Sequence, residues 1–162
     1  MEDGKLKYVY KLIISIVACQ FAGFIGSIFT TSAIPTWYAA IEKPAFTPPN
    51  WLFAPAWITL YVLMAIAASI VWQRGLGDKQ VRAGLIIFLV QLILNALWSV
   101  VFFGLESLLY GIVVIVALWI AILLTTIKFL RISNLAGSLL LPYIGWVTFA
   151  VLLTVSIYFL NT

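Results

Sequence analysis

Histidine is absent from this chain. Its absence removes at once the commonest general base, the commonest metal ligand and the commonest haem-iron ligand. The single cysteine, Cys19, sits inside an apolar run, so no intrachain disulfide can form. Charge is scarce as well, at 9% of residues. The carboxylates Glu2, Asp3, Glu42, Asp78 and Glu106 all fall at the ends of apolar runs or between them, and no lysine or arginine lies mid-run. Carriers coupled to protons or ions need such a group at depth. No Walker loop, zinc-spaced ligand set or Ser/His/Asp arrangement occurs. General acid–base catalysis therefore has no evident agent, and we expect no catalytic residue, no metal and no required cofactor.

What the chain does have is hydrocarbon. Of its 162 residues 65% are apolar, and the mean hydropathy is +1.18. A soluble domain of this size cannot hide that much apolar surface. The expectation is an all-α integral membrane protein, with residues 1–162 forming one domain. Five runs reach the roughly 20 apolar residues a bilayer requires, near 9–31, 53–73, 82–103, 109–129 and 137–160. The mixed-charge N-terminus and the lack of a small-residue cleavage site make the first run a retained helix rather than a signal peptide. The formal charge of +4 reflects topology and not nucleic-acid binding. Lys5, Lys7, Lys11, Arg74, Lys79, Arg82, Lys128 and Arg131 fall on one side of the expected bundle, and Lys43 alone on the other. The bias predicts a cytoplasmic N-terminus and an outside C-terminus.

The stretch WYAAIEKPAFTPPNWLFAPAWITLY, from Trp37 to Tyr61, interrupts this pattern. With Pro35 just upstream it gathers Pro44, Pro48, Pro49 and Pro55, and it holds Trp37, Trp51 and Trp57. Proline runs cannot continue a helix, and irregular backbone is not tolerated against lipid. The stretch is expected to form a lid over one end of the bundle. In the first run Ser15, Cys19, Gly23 and Ser27 recur at four-residue spacing, a pattern that allows close helix packing within the chain or across a dimer seam. In the third run Gln91, Asn95, Trp98 and Phe102 share a face. Amides in hydrocarbon need partners, either an interhelical hydrogen-bond staple or a ligand. In the fifth, Pro142 should loosen or kink the first turns, and Trp146, Ala150, Leu153 and Thr154 form a shelf suited to a flat ring. Thr125 and Thr126 should bond back to their own helix, and Trp119 reads as a belt or packing residue.

Taken together these motifs resemble the translocator protein / tryptophan-rich sensory protein family, formerly called peripheral-type benzodiazepine receptors. The resemblance rests on Trp37-Tyr38, Lys43-Pro44-x-Phe46-x-Pro48-Pro49, Trp51-x-x-x-Pro55-x-Trp57-x-x-x-Tyr61, Gln91-x-x-x-Asn95-x-x-Trp98 with Phe102-Phe103, and Pro142-Tyr143-x-x-Trp146-x-x-Phe149-Ala150. It implies a five-helix bundle, usually a homodimer in a lipid bilayer, that binds porphyrins and isoquinoline or benzodiazepine drugs; some members bind cholesterol. By position it implies a ligand site made of Tyr38, Pro44, Trp51, Trp57, Asn95, Trp98, Trp146, Phe149, Ala150 and Leu153. Trp57 and Trp146 match the pair linked to light-dependent porphyrin breakdown. Two departures stand out. The sterol pattern needs a basic residue after its tyrosine, whereas Tyr158 is followed by Phe159-Leu160-Asn161-Thr162, so that pattern is broken here. Thr154 replaces an asparagine usual in animal members.

The expected function is binding of protoporphyrin IX or a similar flat apolar molecule within the membrane, metal-free porphyrin rather than haem because histidine is missing. The alternatives are passive transport of porphyrins or lipids, and light- and oxygen-dependent porphyrin degradation through Trp57 and Trp146. The expected location is a prokaryotic plasma membrane, the alternative being the outer mitochondrial membrane.

Overall fold

The computed structural model describes residues 2–162, with side chains from Leu6 onward; the side chains of Glu2, Asp3 and Lys5 used in the charge reading lie outside the described residues. All regular structure in it is helical: α1 (Glu2–Ala33), α2 (Trp37–Ala40), α3 (Phe53–Gln73), α4 (Lys79–Ser99), α5 (Leu108–Ile132), α6 (Asn134–Ser138) and α7 (Leu141–Leu160). Five stretches are long and apolar enough to cross a membrane: Leu6–Ala33, Asn50–Gln73, Lys79–Gly104, Leu108–Ile132 and Asn134–Leu160. The chain is a multi-pass membrane protein.

The helix ends follow local chemistry. Asp78 caps α4 by accepting the Gln80 N–H at 2.7 Å. Gly75 ends α3 with φ +98, the left-handed geometry a glycine adopts at least cost. Ser133 caps α6 through the Ala136 N–H. The fifth span is interrupted rather than loosened. It breaks at Leu139 and Leu140, and Pro142 sits in the first turn of α7, where its missing N–H costs nothing. The third span departs from a uniform helix at its far end, where the Leu105 N–H reaches Val100 O at 2.9 Å. That i→i−5 step is one turn of π-helix. Phe102 and Phe103 lie within it and are both buried.

The spans surround one core. α1 lies between α3 and α4, α4 packs along α5, and α5 packs along α7, while α3 and α7 meet over only a short seam. The small-residue stripe of α1 packs within the chain as far as Gly23. Ser15, Cys19 and Ala22 are buried. A Cβ on Gly23 would lie 2.5 Å from the Tyr61 ring, and one on Gly26 would lie 2.9 Å from Ser99 Oγ. Ser27, the last residue of the stripe, is exposed. The opposite face of α1, with Val17, Phe21 and Phe24, is exposed.

Polar residues tie the spans together. Tyr61 Oη on α3 donates to Asn95 Oδ1 on α4. Asn95 Nδ2 donates to Tyr143 Oη on α7 at 3.0 Å, and Tyr143 Oη donates to Gln91 Oε1 at 2.8 Å. The amide stripe of α4 is thus a staple across three helices. Each such bond contributes about 0.6 kcal/mol in a membrane. Thr125 and Thr126 bond back to Ala121 O and Ile122 O, and Trp119 Nε1 donates to Thr148 Oγ1 at 2.8 Å.

Candidate functional site

Above the staple, side chains from five elements face one another around a common hollow. Tyr38 comes from α2, Phe53 and Trp57 from α3, Trp98 from α4, and Phe102 and Phe103 from the π-turn; Trp146, Phe149, Ala150, Leu153, Thr154 and Ile157 come from α7. Helical spacing explains the two longer contributions. Phe53 and Trp57 are one turn apart, and Trp146, Phe149, Ala150, Leu153 and Ile157 follow the i, i+3, i+4 rule for one face.

The rings contact mainly edge to face. Phe53 and Trp146 lie 6.3 Å apart between centroids at 76°, and Trp146 and Phe149 lie 5.8 Å apart. Trp57 stacks on Tyr61 at 5.6 Å and meets Tyr143 edge-on at 6.3 Å, which joins the floor of the hollow to the staple. Trp98 stacks on Phe102 at 5.4 Å. The space between these groups is about 20 Å³, enough for about one water molecule. Anything larger enters only by displacing rings.

The loop from Ile41 to Pro49 runs beside the hollow. Phe46 meets Phe149 at 6.2 Å. Lys43 Nζ donates to Tyr38 O at 2.6 Å and Ile41 O at 2.8 Å and lies 5.0 Å from the Tyr38 ring centroid, a cation–π contact. The side chain of Asn161 joins the loop at Glu42 through two hydrogen bonds. Burial pushes the Tyr38 phenol up to about 12, because the charged form would lose its hydration.

Seven residues expected at the site border the hollow: Tyr38, Trp57, Trp98, Trp146, Phe149, Ala150 and Leu153. Three are placed elsewhere. Asn95 lies below, with both ends of its amide engaged by Tyr61 and Tyr143. Pro44 sits in the loop, partly buried. Trp51 is 71% exposed and is not on the lining of the hollow; its exposure suits the headgroup level where indoles gather. Sequence reasoning omitted Phe53, Phe103, Ile157 and, in the staple, Tyr143. The signal for Phe53 and Ile157 was their one-turn spacing from Trp57 and Leu153. Phe103 had no signal in helical spacing, only its place in the Phe102-Phe103 pair of the motif, because it lies within the π-turn.

Among the described residues no cluster of three metal-binding side chains occurs. The one orphaned polar atom on the lining is Trp98 Nε1, buried and without a partner.

The sequence model of the TspO/MBR family matches residues 15–160. The chain belongs to the TspO/MBR family. Among its relatives, the tryptophan-rich protein TspO of Archaeoglobus fulgidus is 50% identical over 94% of this chain and 98% of its own length. The human translocator protein is 35% identical over 78% of this chain and 75% of its own. The tryptophan-rich sensory protein of Cereibacter sphaeroides is 36% identical over 77% and 78%. The TspO/MBR match spans every element that lines the hollow, the intervening loop included.

Proposed function

We propose that this TspO/MBR member binds a flat, apolar tetrapyrrole, protoporphyrin IX in the first instance, between Trp57 and Trp146 in the prokaryotic plasma membrane. The observation that carries this reading is the convergence of indole and phenyl rings from α2, α3, α4, the π-turn and α7 on one water-poor hollow. Rings with polarised faces favour stacked or edge-on aromatic partners, at about 0.5–1.5 kcal/mol per contact beyond area burial. The lining offers no histidine to an iron, which favours the metal-free macrocycle.

Binding in this reading is an induced opening. A macrocycle is far larger than 20 Å³, so the edge-on contacts Phe53–Trp146 and Phe46–Phe149 break and the rings re-stack on the ligand. The loop carrying Phe46 acts as the lid. Its segment from Pro44 to Pro49 has only local bonds, from Thr47 back to Pro44 O and from the Leu52 N–H to Pro49 O, so it moves without breaking tertiary hydrogen bonds.

The test is tryptophan-fluorescence quenching of the purified protein by protoporphyrin IX. Trp57→Ala and Trp146→Ala should each weaken binding about tenfold or more, equivalent to about 1.4 kcal/mol. Trp51→Ala should stay within about twofold, given its exposure. Unchanged affinity in both indole variants of the hollow overturns the reading.

A second reading, light-driven oxidation of the bound macrocycle by dioxygen, draws on Trp57 and Trp146 bordering the same space. Degradation that continues in the Trp57→Phe, Trp146→Phe double variant removes those residues from it.

A further inference from the structure

The hollow has a neighbour. Where α3 and α7 meet over their short seam, a groove of about 400 Å³ opens on the outside of the bundle, lined by Pro55, Ala56, Thr59, Leu60, Pro142 and Trp146. Trp146 belongs to both linings. Trp146 is thus the side chain that the open groove, of about 400 Å³, shares with the hollow, of about 20 Å³.

The groove lies at membrane depth. Pro55 is five residues inside the Asn50 end of its span and Pro142 eight residues inside the Asn134 end. Both positions lie within segments long and apolar enough to cross a membrane, which matches a hydrocarbon layer of about 30 Å. Its chemistry matches that depth. No lining residue is charged, the two prolines present no N–H, and the Thr59 hydroxyl is occupied by Pro55 O at 2.8 Å. An aqueous solute gains nothing there, whereas a molecule dissolved among acyl chains crosses no polar barrier to reach it. On α7, Gly145 follows Pro142 by three residues, on the same side of the helix, and a Cβ there would meet nothing within 4 Å.

We propose that the α3–α7 groove is a lateral doorway through which a flat apolar ligand passes from the bilayer into the hollow, with the Trp146 side chain as the swinging partition. The inference rests on the tetrapyrrole reading and adds the route. Entry from the lipid side concentrates a sparingly soluble macrocycle before it meets the protein.

The experiment reconstitutes the full chain in vesicles preloaded with protoporphyrin IX and follows tryptophan quenching by stopped flow. Ala56→Phe with Thr59→Phe narrows the groove from α3, and Gly145→Leu narrows it from α7. None of these positions borders the hollow. Association and dissociation should each slow at least tenfold while Kd stays within threefold of the parent. A thermal melt identifies folded variants, and Gly145→Leu, with open space above it, carries the test if the double variant does not fold. Rates within twofold of the parent overturn the doorway. So does weaker binding without slower exchange, which would make the groove a docking place. Absence of binding to the parent protein fails the tetrapyrrole reading itself and takes the doorway with it.

Discussion

Asn161, in the last turn of the chain, holds the backbone of Glu42 from both sides. Its Oδ1 accepts the Glu42 N–H at 3.0 Å and its Nδ2 donates to Glu42 O at 2.9 Å, while the same Nδ2 reaches Ile157 O at 2.8 Å. An amide side chain carries one donor group and one acceptor, as a backbone peptide does, so it pairs with Glu42 as a neighbouring strand would. The start of the loop is thereby tethered to the end of α7, and the hinge of the proposed lid is placed after Lys43.

Loss of this pair should be visible at one amide. In Asn161→Ala the Glu42 N–H loses its acceptor. A net hydrogen bond is worth about 1 kcal/mol, so hydrogen exchange at Glu42 should speed up about fivefold, with the spans unaffected. Unchanged protection would mean the tether is not formed in the membrane.

The staple predicts an unequal pair. Tyr143→Phe removes the group that joins Asn95 to Gln91, and the Nε2 of Gln91 already has no partner. Leaving buried polar atoms unpaired costs about 1–3 kcal/mol, so the melting temperature should fall clearly. Tyr61→Phe removes only the outer donor and should cost less. Equal losses, measured by thermal unfolding in detergent, would contradict the assigned order of the chain.

Two glycines should respond with opposite sign. Gly23→Ala places a methyl 2.5 Å from the Tyr61 ring, which forces α1 away from α3 or turns the ring off Trp57. Overpacking of this kind costs about 1–3 kcal/mol. Gly145→Ala meets nothing within 4 Å and should stabilise α7 by up to about 1 kcal/mol through helix propensity. Thermal melts of the two single variants check both signs.

Ligand affinity should be flat with pH. The only ionisable side chain on the hollow is Tyr38, whose phenol burial pushes up to about 12. A raised tyrosine favours the fold fully below its unfolded value near 10, and that contribution is lost as pH climbs from about 10 through about 12. Between pH 6 and 9 Tyr38 stays neutral, so binding of an uncharged porphyrin ester should change less than twofold. A step in that window would require another titrating group at the site.

Much of the site was legible in one dimension because it follows helical spacing. Trp57, Trp146, Ala150 and Leu153 fall on faces that any α-helix of this sequence would present. Asn95 shares a face with Trp98 and yet serves a different purpose. Two tyrosines, 34 and 48 residues away in the chain, reach it first, and nothing in local spacing ranks a phenol partner above a ligand. Phe103 was hidden for a different reason, since it lies within the π-turn, outside regular helical spacing.

Composition and run length alone determine that this chain crosses the membrane five times, because the hydrocarbon thickness and the need to satisfy every backbone N–H and C=O leave no alternative. Tryptophan and proline positions likewise place the break between the first two spans. Tertiary structure decided how each span is rotated and which neighbour it meets. It turned the amide stripe into a staple, set Trp51 outside and Trp57 inside, and left the hollow nearly closed beside an open groove. Hydropathy is a property of each residue and its near neighbours, whereas these outcomes depend on close contact between side chains far apart in the chain, where about an ångström of fit separates a hydrogen bond from a gap.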